Sequence, residues 1–212
     1  MIGVSVSCYV NHLPLLIELF DSIEKQTRLP DKVVVSSSST TPEKELKIIK
    51  KYSFPYEIIY TPEHKNAASN RNIAINQLLD MEYISFMDAD DIMHPQRIEL
   101  IMKTIEETDG DIILHNFSYD CNLKPIEKLN YKVNELFVSE SGCITSNYNY
   151  HLHHSQSTVR RYILHFVMFS EDTKYNRKED CVFCKDVFKL PNIVNVYIMN
   201  ELSWYRPGGC IF

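Results

Sequence analysis

Residues 82–107, EYISFMDADDIMHPQRIELIMKTIEE, read in succession as a strand, an acidic turn and a helix. EYISFM is a short apolar run of strand-forming residues, and it runs into three carboxylates within four positions, Asp88, Asp90 and Asp91. Pro95 then opens a helix through QRIELIMKTIEE. Like charges crowded at a strand end repel one another, so the stretch calls for a partner of opposite charge.

The same alternation extends in both directions. Upstream, IGVSVSCY is a first strand, followed by LPLLIELFDSIEKQ, whose Leu16, Leu19, Phe20 and Ile23 recur at helical spacing. KVVVSS is a second strand, and a helix opens at Pro42, after Thr40 and Thr41, through EKELKIIKKY. YEIIYT gives a third strand and AASNRNIAINQLLD a third helix; downstream, DIILHNFSY gives the strand after EYISFM. Strands separated by helices predict an α/β fold with a mostly parallel sheet covered on both faces. Residues 120–155 carry few periodic signals. After them STVRRYILHFV and RKEDCVFCKDVF are expected to be helical and NIVNVYIM to be a strand, with a tail SWYRPGGCIF whose Trp204, Tyr205 and Arg206 either close over a ligand or join the core.

The 212 residues suit a single domain, and 44% hydrophobic with 24% charged residues is ordinary for a globular protein. With 28 acidic and 22 basic residues the formal charge is −6, which argues against a nucleic-acid partner. No run of about 18 apolar residues is present to span a bilayer. The start MIGVSVSCYV reads as a strand rather than a leader, so a cytoplasmic location is expected. Six cysteines are scattered along the chain, and buried thiols are the simpler account of them. A zinc site at Cys181 and Cys184 would need further ligands, for which only HLHH, with His151, His153 and His154, is at hand.

In an open α/β sheet ligands bind beyond the carboxyl ends of the strands, near the reversal of strand order. That rule separates two D-x-D triplets of identical spelling. Asp109-Gly110-Asp111 precedes its strand and reads as a turn, whereas Asp88-Ala89-Asp90 follows one and lies on the ligand side. Carboxylates spaced by one residue there suit a hard cation, Mg2+ or Mn2+, completed by water and phosphate oxygens. HKNAASNRN opens a helix on the same edge, so Asn66, Asn70 and Arg71 stand by an N-terminus that favours an anion, unless Arg71 pairs with an aspartate instead. The first strand ends in Cys8 and Tyr9, whose ring can pack beside a base, and the second in Ser36, Ser37 and Ser38. Glu179 and Asp180 suit a helix N-terminus, or one of them points into the groove as a general base.

Taken together and in this order, SSSST, NAASNRN, FMDADD and KEDCVF resemble the pattern of inverting GT-A glycosyltransferases of family 2, from Ile2 to about Phe188. The resemblance implies a Rossmann-like GT-A sheet with a smaller acceptor-side region, residues 1–118 serving the nucleotide sugar and 119–212 the acceptor. It implies a UDP-sugar donor with Mn2+ or Mg2+ and a glycan or glycoprotein acceptor. By motif match Asp90 is a metal ligand, Asp88 contacts ribose or metal, and Ala89 lies between them. Arg71 and Asn66 lie near the nucleotide, and Asp180 is the base, with Glu179 beside it. The chain is further similar to small viral members that decorate a capsid glycan. Two departures stand out: Ser36 and Ser37 occupy the place of an acidic pair that reads uracil, and Ala67 and Ala68 replace a glycine. A sugar-1-phosphate nucleotidyltransferase, or a non-catalytic nucleotide- or glycan-binding module, would use the same groove. The first would want a Gly-rich loop after strand one, where CYVNHLP stands.

Overall fold

The computed structural model describes residues 1–41, 51–138, 144–146, 157–176 and 178–206. The helix expected from Pro42 and the histidines of HLHH lie outside these described residues.

The centre of the molecule is β1 (Ile2–Tyr9), flanked by β2 (Lys32–Ser38) and β4 (Tyr83–Asp88). β3 (Tyr56–Thr61) continues the sheet beyond β2, and these four strands run parallel. Beyond β4 come β10 (Thr158–Arg160), β6 (Ile112–Ser118) and β11 (Asn195–Trp204). β10 is antiparallel to both its neighbours, while β11 is parallel to β6. The far edge of β11 carries β5 (Ile92–Met93) and β7 (Tyr131–Val133), both antiparallel to it. β8 (Leu136–Val138) and β9 (Ile144–Ser146) form a separate antiparallel pair.

Alternation along the strands feeds two cores. Ile2, Val4, Val6, Val33 and Val35 face α1 (Leu13–Glu24) and α3 (Arg97–Thr108), with Leu16, Phe20, Ile98 and Ile101. Val34, Ile84 and Phe86 face α2 (Ala67–Asn76) and α4 (Glu179–Val187), with Ala74, Ile75 and Phe183. Strands buried on both faces are what a parallel sheet requires, and they explain the near-continuous apolar runs. Gly3 is needed where the turn after α2 crowds β1, because a Cβ there would stand 2.7 Å from Leu78 Cδ2 and 2.8 Å from Met81 Cγ.

Two expectations need correction. STVRRYILHFV is not a helix: Thr158–Arg160 is a strand, and Arg161–His165 follows as a 3-10 turn. Tertiary pairing wins over the local pattern, since the fully buried Thr158 sits between β4 and β6 and its Oγ1 donates to Ser85 Oγ at 2.8 Å. The last strand also runs on through Trp204, past the expected Met199, absorbing Asn200 and Glu201 with register shifts against β6. Among the described residues no helix is long and apolar enough to cross a membrane.

Candidate active site

Strand order reverses between β1 and β4: the chain leaves β1 for β2 and β3 on one side, then returns to β4 on the other. The crevice rule therefore points to the carboxyl ends of these two strands. Their register sets Ser7 opposite Asp88, and Ser7 Oγ donates to Asp88 Oδ1 at 3.0 Å. The Ala89 N–H donates to the Ser7 carbonyl at 3.2 Å, and the Ala89 methyl is fully buried. This anchors the turn in the core and leaves Asp88 and Asp90 half-buried at its rim.

Asp91 has a different fate. It is buried, its N–H closes the turn onto the Asp88 carbonyl at 3.2 Å, and its Oδ1 accepts from the Arg206 N–H at 3.1 Å. Arg206 Nε donates to the Asp90 carbonyl at 3.0 Å, and its Nη2 reaches Glu18 Oε2 at 2.6 Å. The guanidinium lies 4.6 Å over the Trp204 ring. The chain end thus clamps the acidic turn. Sequence reasoning gave Arg206 no such part, and nothing in its local sequence foretells a contact with residues so distant.

Burial, and after it the charge of Asp88, pushes the Asp90 carboxyl above its ordinary value; His12 and Arg206 pull the other way. Among the described residues no group of three or more His, Cys, Asp or Glu side chains converges on a metal position. The two crowded carboxylates nonetheless suit Mg2+ or Mn2+, which commonly take one or two carboxylates together with a substrate's phosphates.

The SNRN stretch lies in the first turns of α2. Asn66 caps the helix, accepting the Ser69 N–H at 2.8 Å, while its amide donates to the Glu171 carbonyl at 3.2 Å. The Ser69 hydroxyl donates to Glu171 Oε2 at 2.7 Å, so a carboxylate of this chain already lies by the N-terminus expected to hold an anion. The buried Asn70 amide donates to the Cys8 carbonyl at 3.1 Å and to Ser38 Oγ at 3.0 Å, and its Oδ1 accepts from Ser36 Oγ at 3.0 Å. Cys8, Ser36 and Ser37 are buried too, so Ser36 and Ser37 sit inside the fold rather than on the groove wall. Tyr9 stays half-exposed, its ring edge-on to His64 at 5.6 Å across the ends of β1 and β3.

Arg71 Nη2 donates to Asp88 Oδ1 at 2.8 Å and Nη1 to Glu179 Oε1 at 2.7 Å. The flanking carboxylates hold its guanidinium charged despite complete burial. Glu179, the buried member of the acidic pair, is spent on this bridge. Asp180 stays half-buried, and its Oδ1 accepts the Cys181 N–H at 2.7 Å. Cys184 faces the core while Cys181 is only partly covered. The second D-x-D is structural: Asp111 Oδ1 lies 3.3 Å from Arg160 Nη1, Asp109 is ion-paired to the same guanidinium, and Asp111 Oδ2 accepts from the Val194 N–H at 2.9 Å.

The sequence profile described as Glycosyl transferase family 2 matches residues 4–167. No curated protein sequence matches. Among solved structures, S. aureus TarS 1-349 in complex with UDP superposes with a TM-score of 0.72 at 19% identity, over 97% of this chain and 60% of that one. TarS 1-349 in complex with UDP-GlcNAc gives 0.69 at 16% identity, over 97% and 58%. A further S. aureus TarS structure gives 0.74 at 19%, over 97% and 36%. This chain thus spans about 60% of the first TarS fragment, and likeness at such identity establishes the fold, a GT-A type α/β sheet. A viral origin and a capsid glycan find no support in these comparisons.

Proposed function

The chain belongs to Glycosyl transferase family 2, and from that membership we propose that it moves a sugar from a UDP-sugar to a hydroxyl of a glycan or glycoprotein, inverting the anomeric carbon. One observation carries the reading. Asp88, at the end of β4, and the helix that begins Glu179-Asp180 meet over a single guanidinium, so a donor-side carboxylate and a candidate base share one sheet edge. Uracil is the preferred base because TarS was solved with UDP and with UDP-GlcNAc.

In this proposal residues 1–118 serve the donor and 119–212 the acceptor. The nucleotide lies over the ends of β1 and β2, its base against Tyr9; Cys8, Ser36, Ser37 and Asn70 support that floor from beneath, and Asn66 caps the helix beside it. Asp88 and Asp90 would hold the Mn2+ or Mg2+, which when bound neutralises charge on the departing diphosphate. Asp180 is the general base. One of its oxygens is steadied by the Cys181 N–H, and the other takes the proton as the acceptor oxygen bonds to the anomeric carbon. The bond from that carbon to the diphosphate breaks in the same displacement, so the product has inverted configuration.

The test is to incubate the protein with UDP- and GDP-sugars, with and without Mn2+, and to follow donor hydrolysis and transfer. Asp180→Asn is expected to lower turnover by about 10²–10⁴-fold while still binding UDP. Asp90→Ala is expected to abolish the response to Mn2+. Undiminished turnover in Asp180→Asn would remove that residue as the base, and UDP binding without turnover of any donor would favour a non-catalytic module.

A further inference from the structure

The polar side chains of the SNRN run, Ser69 to Asn72, reach three different parts of the molecule, Ser69 and Asn72 both holding the segment 169–171. Ser69 holds Glu171, and Asn70 joins the ends of β1 and β2. Arg71 joins β4 to α4. Asn72 grips the Phe169 backbone twice, its Nδ2 donating to the carbonyl at 2.9 Å and its Oδ1 accepting the N–H at 3.1 Å. Phe169 in turn lies 5.2 Å from the Arg71 guanidinium and stacks on Phe183 of α4 at 4.1 Å.

We infer that this run is a bracket rather than a phosphate cradle, and that Arg71 is a positioning residue that sets Asp180 against Asp88 through the Glu179–Arg71–Asp88 bridge. The inference rests on the reading of this edge as a glycosyl-transfer site. Three features argue for it. Arg71 is only 3% exposed, and one face of its guanidinium is covered by an aromatic ring, leaving little room to meet a ligand. Both its terminal nitrogens are engaged by carboxylates at 2.7 and 2.8 Å, a fork that a lysine's single ammonium cannot reproduce. Glu179 and Asp180 are consecutive in the first turn of α4, so fixing one fixes the direction of the other.

The experiment compares Arg71→Lys and Glu179→Gln with the parent protein in three ways. These are kcat and KM for whichever donor the parent turns over, UDP affinity by calorimetry, and amide exchange along residues 179–187. Glu179→Gln keeps the shape of the side chain and guards against a variant that does not fold. Positioning predicts that both variants lose about 10²-fold in kcat, the scale of an ångström-sized misplacement. It also predicts donor KM and UDP affinity within about twofold of the parent, with faster exchange confined to the α4 helix. UDP binding weakened about tenfold or more in Arg71→Lys but not in Glu179→Gln, with α4 exchange unchanged, would make Arg71 a phosphate ligand and overturn the inference. Exchange quickened throughout the molecule would reduce the bridge to general stability and overturn it equally. Should the parent turn over no donor, the proposed function falls, and the UDP and exchange arms still decide what Arg71 does.

Discussion

Three aspartates within one turn have three environments. Asp88 is shared by a serine and an arginine, Asp90 stands at the rim, and Asp91 is buried under the chain end. Arg206 makes the difference for the last two, since it holds the Asp90 carbonyl and the Asp91 carboxylate together. Arg206→Ala keeps the backbone donor to Asp91 but frees the Asp90 carbonyl and unties Glu18. We expect a stability loss of about 1 kcal/mol by denaturant melt, and a donor KM that rises more than kcat falls. An unchanged KM would show that the turn keeps its shape without the clamp. That the acids at 88 and 90 stand at the carboxyl end of a strand was legible in the sequence, from the apolar run before them. Which of Glu179 and Asp180 would meet Arg71 was not, because helix phase at an N-terminus is set by what α4 packs against.

At the scale of elements, legibility followed an unbroken local pattern: the ten-residue β11, whose register shifts midway, was read short. β1, β3 and α1 are long enough for their period to stand out, and their observed ranges match the apolar runs almost end for end. β10 has three residues, too few for any period, and it fills the gap between one edge of β4 and one edge of β6. The segment after it is held to α2 by Glu171, whose carboxyl is kept below its ordinary 4.5 chiefly by hydrogen bonds from Asn72 and Ser69. A depressed carboxylate stabilises the fold above its unfolded pKa and loses that contribution as pH falls through the folded value. Acidification below about pH 4.5 should therefore loosen residues 166–176 ahead of the sheet, seen as early amide exchange there. Glu171→Gln should make that early loss independent of pH; a loss that still tracks pH in this variant would assign it to another group.

For the whole molecule, the proposed division into a donor half, 1–118, and an acceptor half, 119–212, would be one of labour and not of folding. Among the described residues β4 has β10 as its outer neighbour and β6 is paired only with β10 and β11, all supplied from beyond residue 118. A fragment ending at Ser118 would expose the edge of β4 and leave β6 without either partner. It should aggregate or remain largely unfolded, as read by circular dichroism and gel filtration. A soluble, cooperatively melting fragment would refute the interlock and make the first half a domain of its own.

The interlocking strand also sets a sequence in time. Thr158 must find Ser85 across 73 positions of chain, so this seam closes only after much of the polypeptide has left the ribosome. Until it closes, β1 to β4 can gather with α1 and α2 around them, but one flank stays open and adhesive. We expect the insertion of these three residues to come late in folding, and the edge that carries Asp88 and Asp180 to be complete only once α4 has docked.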